Sequence, residues 1–205
     1  AATARAAAAA GWNVGLFARS EDKLNALADD IGDQALALPG DATDLDQQQA
    51  AIDKLADKFG GVHAAYANAG MGLNTPGTEN GDPQEWHDLI HLNIMALLYT
   101  AKVALPHLKP VKGHMVSAAG RTHIKGSIYG ASKWFVHGYG GNLADEMKEW
   151  GGRCTVIAPG MVNTAFFDEA KPDKLQPEDV ADAVVHALNA NPRNAVREVF
   201  LMPAN

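Results

Sequence analysis

At 205 residues the chain is one domain of ordinary to large size, long enough to bury a sizeable core. Apolar residues make up 47% and charged residues 20%, and the formal net charge of -7 argues against a nucleic-acid groove or an anionic membrane surface as partner. No apolar run approaches about 18 residues, so no membrane span is expected. The single cysteine, Cys154, leaves no internal disulfide and suits a reducing cytoplasm.

The opening stretch, Ala1-Ala2-Thr3-Ala4-Arg5 and five further alanines, reads as a helix ending at Gly11 rather than as a signal peptide. Asn13 to Ala18 predicts a strand, after which Ser20 can cap a helix carrying Glu21 and Asp22 in its positive first turn. Gln34 to Leu38 predicts a strand closed by Pro39-Gly40, and Asp44 to Phe59 an amphipathic helix. A strand over Val62 to Ala67 precedes a helical region from Pro83 to Leu108 that is expected to end near Pro106. Gly113 to Ser117 predicts a strand, Ser127 to Trp150 a long helix and Arg153 to Ala158 another strand. Pro177 to Asn189 completes the helices and Glu198 to Met202 the strands. This alternation implies an α/β architecture, a Rossmann-type doubly wound parallel sheet with helices on both faces.

Two irregularities stand out. A doubly wound fold opens on its central strand and a glycine-rich turn, whereas this sequence opens on a helix. A first strand plus turn of roughly 15 residues is therefore expected ahead of Ala1, and without it the sheet has a gap at its centre. Gly113 to Ser117 is also short for a buried central strand with its lead-in, so residues are expected to be missing there too. The chain is thus read as a single dinucleotide-binding and catalytic domain over 1–205, incomplete at its N-terminus.

Tyr129 and Lys133, in the run Ser127-Ile128-Tyr129-Gly130-Ala131-Ser132-Lys133, lie one helical turn apart on one face. An ammonium beside a phenol favours the phenolate, and a lowering of roughly two or three pKa units would let the tyrosine trade protons near neutral pH. Other features fall at the C-terminal ends of strands, where ligands bind in open parallel sheets. These are Asn68-Ala69-Gly70, Ser117-Ala118-Ala119-Gly120 and Pro159-Gly160-Met161-Val162-Asn163-Thr164. Asn93 sits within the long apolar helix, where it is either functional or a polar residue bonded to backbone. His87 and His91 have zinc-compatible helical spacing but lack the glutamate of HExxH and a third ligand, so no metal is expected.

In this order the motifs resemble those of the short-chain dehydrogenase/reductase family, and the resemblance runs from the first residue to the last. The opening AATAR is similar to the stretch that follows the family's glycine-rich turn. The tail from Leu175 to Pro203 is similar to the NADP-dependent branch containing 3-hydroxy-acid and serine dehydrogenases. Two departures concern Ser117: it precedes the tyrosine by twelve positions instead of about thirteen, and about three residues fewer separate it from Gly113. A deletion of that size shortens the strand by about 10 Å and reverses its facing.

The resemblance implies hydride transfer between a nicotinamide cofactor and a small carbonyl or alcohol substrate, with Asn93, Ser117, Tyr129 and Lys133 as the catalytic tetrad. Tyr129 would be the general acid and base. Lys133 would stabilise the phenolate and bind the nicotinamide ribose, Ser117 donate to the substrate oxygen, and Asn93 hold a water that connects Lys133 to solvent. Asn68, Ala69 and Gly70, with Pro159, Gly160, Val162 and Thr164, would line the cofactor. Thr164 either bonds the carboxamide or starts a helix. At the end of the first visible strand Ala18 stands where an acid would select NAD, followed by Arg19 and Ser20, which suit the phosphate of NADP(H); a solvated Arg19 is the alternative. Asp41, next to Ala42, either accepts from the adenine amino group or caps the helix near Asp44. Phe166, Phe167 and Met161 suggest an apolar pocket wall, or the phenylalanines pack in the core. Gly138, Gly140 and Gly141 permit close helix approach, and family members associate through this helix, so a homodimer or homotetramer is expected. The rival reading is a catalytically idle binding or regulatory protein on the same fold.

Overall fold

Alternating short apolar and longer amphipathic runs become strands and helices in the expected order. The computed structural model describes residues 1–75, 77–120, 127–164 and 169–204. In chain order the elements are α1 (Ala2–Ala9), β1 (Val14–Ala18), α2 (Glu21–Ile31), β2 (Ala35–Pro39), α3 (Leu45–Phe59) and β3 (Ala64–Ala67). They continue with α4 (Pro83–Ile90), a π-helical turn (His91–Met95), α5 (Ala96–Leu108), β4 (His114–Ala118), α6 (Ile128–Lys148), β5 (Arg153–Pro159), α7 (Pro177–Asn189) and β6 (Glu198–Leu201).

All strand pairs are parallel, but the sheet is in two parts, β1-β2 and β3-β4-β5-β6. No ladder joins β1 to β3. A cleft of about 460 Å³ is bounded by Trp12 and Asn13 ahead of β1, by Val62, His63 and Ala64 at the start of β3, and by Leu55 and Phe59 of α3. It opens at the N-terminal ends of the strands, the opposite end from Tyr129.

Side chains of β4 and β5 alternate between two cores, as the period of two requires. Met115, Cys154, Val156 and Ala158 join the core formed with α5 and α6, while Val116 and Ile157 join the α7 core with Ala183 and Val184. Burial pushes the Cys154 thiol up to about 12, so it is an inert core residue. Gly140 explains how closely α6 sits on the sheet: a Cβ there would lie 2.3 Å from Val156 Cγ2, whereas Gly138 and Gly141 face open space. Within the chain the close approach is helix on strand, at Gly140.

α4, the π-turn and α5 form one continuous helix over Pro83–Leu108, with Pro106 inside it rather than at its end. By length and composition this helix could cross a bilayer, a possibility that counting uninterrupted apolar residues misses. In this fold it packs against α3, β3 and β4, with Leu89, Ala96, Leu97, Ala101, Ala104 and Leu108 buried.

At the far end of β4, His114 is buried and its Nε2 lies 2.7 Å from Thr155 Oγ1. The Thr155 hydroxyl donates to the Val196 carbonyl, so it accepts from an Nε2–H, and Nδ1 is left as a buried acceptor without a partner. Burial pushes the imidazole down to about 4 from 6.5. The unfolded chain binds this proton below about 6.5 and the folded chain only below about 4. Stability is therefore expected to fall by roughly 3 kcal/mol as the pH drops through that window. Urea titrations from pH 7 to pH 4 check this; in His114→Leu that share of the fall should disappear.

Candidate active site

Tyr129 stands in the first turn of α6, where Ser127 caps the helix and its Oγ accepts from the Tyr129 amide at 3.1 Å. The α6 N-terminus lies beyond the C-terminal ends of β4 and β5. Lys133, one turn on, is 7% exposed, and its Nζ donates to the Ala118 carbonyl at the end of β4, 3.4 Å away. Nζ also lies 5.5 Å from the centroid of the Tyr129 ring. Both side chains converge on Gly120. A Cβ there would stand 3.8 Å from the Tyr129 hydroxyl, 4.0 Å from Lys133 Cε and 4.0 Å from the Pro159 carbonyl. Gly120 takes φ +95°, a backbone conformation that favours glycine.

The electrostatics differ from the expectation. Burial raises the Tyr129 phenol above its ordinary value and pushes the Lys133 ammonium down to about 8. The cation faces the ring and the Ala118 carbonyl, so in this state desolvation outweighs its pull on the phenolate. Burial thus favours the protonated phenol over the phenolate.

Asn93 is 3% exposed in the π-turn. Its Oδ1 accepts from the Met71 amide at 2.8 Å, and its Nδ2 donates to the Met71 carbonyl and to Ser132 Oγ, each at 3.0 Å. Both side-chain N–H groups are thus committed, one of them to backbone. A Cβ on Gly70 would sit 3.2 Å from Asn93 Oδ1 and 3.3 Å from Lys133 Nζ. Glycine at this point keeps open the space between them.

Ser117 departs from its expected role. It is paired in the ladder, opposite Ala67 on one side and Val156 on the other, and is 3% exposed. Its Oγ has no hydrogen-bond partner and faces α6, 3.9 Å from the Cβ position of Gly140. Gly140 lies eleven residues beyond Tyr129, roughly 16 Å along the helix at 1.5 Å per residue. The short run from Gly113 draws Ser117 into the strand and turns it into the core, away from the Tyr129 hydroxyl.

At the other end of the site Ala18 closes β1, and Arg19 and Ser20 follow it exposed to solvent. No hydrogen bond or ion pair holds the Arg19 guanidinium among the described residues, and the Ser20 hydroxyl does not cap α2. The cap of α3 is Asp44, whose carboxylate accepts from Gln47, so Asp41 does not fill that role. Asp41 Oδ1 accepts from the Thr43 amide and hydroxyl, both at 2.8 Å, and these bonds hold its carboxyl below the usual range. Gln48 Nε2 ties the Ala42 carbonyl to that of Ala96, holding the Asp41 turn against α5. Asn68 is exposed and accepts from the Tyr66 hydroxyl.

The segment after β5 folds back on the chain. Gly160 N donates to Leu201 O, Val162 bridges Leu175, and Thr164 lies in a bend. Asn163, which motif matching passes over, bonds Gln176 through Nδ2 and the Lys171 amide through Oδ1. Glu85 is likewise missed by motif matching; its carboxylate bonds Asn74 Nδ2 and the Thr75 amide, holding the segment after Gly70. Phe166 and Phe167 lie outside the described residues. The rings of His87 and His91 are tilted at 52° with centroids 5.9 Å apart, and no group of three potential metal ligands occurs among the described residues.

The family profile described as short chain dehydrogenase matches residues 1–175. The chain belongs to the short chain dehydrogenase family. An uncharacterized oxidoreductase of Staphylococcus aureus is 33% identical over 202 residues, covering 94% of this chain and 87% of that protein. An alcohol dehydrogenase from the archaeon Thermococcus sibiricus, complexed with 5-hydroxy-NADP, superposes with a TM-score of 0.90 at 25% identity, over 99% of this chain and 91% of that one. A 3-ketoacyl-(acyl-carrier-protein) reductase from Brucella melitensis, complexed with NADH, gives a TM-score of 0.91 at 21% identity, again over 99% and 91%. Membership in this family makes the chain an oxidoreductase by fold and sequence, with a nicotinamide cofactor.

Proposed function

We propose that the chain is an NADP(H)-dependent oxidoreductase that interconverts an alcohol and a ketone or aldehyde, with Tyr129 as general acid and base. The observation that carries this reading is the convergence of the Tyr129 hydroxyl and Lys133 on the open side of Gly120, at the C-terminal ends of β4 and β5. A bound nicotinamide supplies or accepts the hydride. In reduction the Tyr129 hydroxyl gives its proton to the carbonyl oxygen; in oxidation it takes the alcohol proton. Lys133 keeps an ammonium beside the phenol and would bind the nicotinamide ribose from its place beside Gly70. Asn68 to Gly70 and Pro159 to Thr164 border the nicotinamide end.

At the adenosine end, Asp41 beside Ala42 would accept from the adenine amino group, and Arg19 with Ser20 would hold the 2′-phosphate. A guanidinium with no competing carboxylate bonded to it suits a phosphate, and no acid stands at the end of β1 to repel one. Trp134 and Phe200 are 53% and 61% exposed, and His137 stacks on Phe200. We assign this apolar patch on α6 and β6 to the interface of a homodimer or homotetramer, and the protein to the cytoplasm.

One observation favours the second reading, a catalytically idle binding protein: the Ser117 hydroxyl is buried facing Gly140 of α6. A panel of ketones and aldehydes with NADPH and NADH separates the two. NADPH oxidation is expected, with NADPH preferred and that preference reduced at least about 10-fold in Arg19→Glu. Tight NADPH binding without turnover on any substrate establishes the idle reading, and absence of binding removes both.

A further inference from the structure

Ser132 lies between Tyr129 and Lys133 in sequence, is 2% exposed, and has its hydroxyl fully engaged. It donates to the Tyr129 carbonyl at 2.7 Å and accepts from Asn93 Nδ2 at 3.0 Å. The other Nδ2 hydrogen and Oδ1 of Asn93 hold the Met71 carbonyl and amide. A short buried chain thus runs from the backbone after Gly70, through the π-turn, to the carbonyl of the proposed acid. The π-turn matters here because its extra residue widens the helix at the place where Asn93 crosses to α6.

We propose that Ser132 is a positioning residue, one that locks the Tyr129–Lys133 turn, Asn93 and the Gly70-Met71 backbone into a single unit. The reason is geometric. Lys133 Nζ and Asn93 Oδ1 flank the empty Cβ position of Gly70 at 3.3 and 3.2 Å, so the space between them depends on how high α6 sits relative to the π-turn. The Ser132 hydroxyl bonds both sides of that junction. Without it, an Asn93 N–H is left buried and unpaired, and the junction must open or shift to hydrate it. The inference rests on the function proposed above for its kinetic arm, but not for its structural arm.

The test compares wild type, Ser132→Ala, Ser132→Thr and Tyr129→Phe. In Ser132→Ala the kcat for NADPH-dependent carbonyl reduction is expected to fall roughly 10- to 100-fold, as a misplaced acid would cause, with substrate KM within about threefold. Ser132→Thr, which keeps the hydroxyl, restores most of it. Amide hydrogen exchange supplies a readout independent of turnover: the Met71 amide should exchange at least about tenfold faster in Ser132→Ala than in wild type, and be unchanged in Tyr129→Phe. Equal Met71 exchange in wild type and Ser132→Ala overturns the proposal. So does a Ser132→Ala enzyme with full kcat. If no protein in the set oxidises NADPH, the function proposed above fails instead, and the exchange comparison still decides whether Ser132 couples these segments.

Discussion

Replacing Tyr129 by phenylalanine is expected to slow NADPH-dependent carbonyl reduction by roughly 10²- to 10⁴-fold, the range in which a positioned general acid contributes. NADPH affinity should stay within about threefold and the unfolding midpoint close to wild type. The ring stays in place: Tyr129 is half-buried, its amide is capped by Ser127, and Lys133 Nζ lies 5.5 Å from the ring centroid. The substitution removes the proton donor and keeps the ring. Stopped-flow NADPH oxidation, intrinsic NADPH fluorescence and urea titration read the three quantities. A variant that retained a tenth of the wild-type rate would show that another group delivers the proton.

Lys133→Met is the second large effect, and it should act in opposite directions on activity and stability. Burial pushes the Lys133 ammonium down from 10.5 to about 8. A lysine whose folded pKa is depressed costs the fold stability wherever the unfolded chain holds the proton more tightly. That penalty is present in full below about pH 8 and fades as the pH rises from about 8 toward 10.5. Removing the charge while keeping the stem should therefore stabilise the protein at pH 7 by roughly 1–3 kcal/mol. It should also erase this group's rise in wild-type stability between pH 8 and pH 10. Turnover should fall at least about 100-fold, because the phenolate left after proton transfer loses its cation. Urea titrations at pH 7 and pH 10 on both proteins provide the check.

The order of elements was legible because each is written in local pattern: period-two apolar runs for β4 and β5, amphipathic spacing for α3, Pro177 at the start of α7. The Tyr129–Lys133 turn was legible for the same reason, since residues four apart on a helix share a face whatever surrounds them. Features set by tertiary contact could not be read. The π-turn at His91–Met95 has no sequence signature, and the commitment of Asn93 to Met71 and Ser132 crosses 22 and 39 positions. Burial reversed the expected shift of the Tyr129 phenol because how much water the fold excludes is not written in the spacing of two residues. Ser117 shows the limit of motif matching most plainly. Its neighbours spell the right word, but facing in a strand is fixed by counting residues from a paired position, and that count places its hydroxyl beneath Gly140. Sequence spacing alone does not separate Asp41 from Asp44 as the cap of α3; the contacts assign it to Asp44.

The central claim is that Tyr129 and Lys133, converging beside Gly120, serve a nicotinamide and a carbonyl through one acidic phenol. Transfer of label from NADPH deuterated at the nicotinamide C4 tests it most directly, with product alcohols from a carbonyl panel read by mass spectrometry. Deuterium should appear on the carbinol carbon of at least one alcohol made by the wild-type protein, and in less than about a hundredth of that yield with Tyr129→Phe. Unlabelled substrates recovered intact from the wild-type protein at saturating cofactor, or equal labelling by the two proteins, would contradict it.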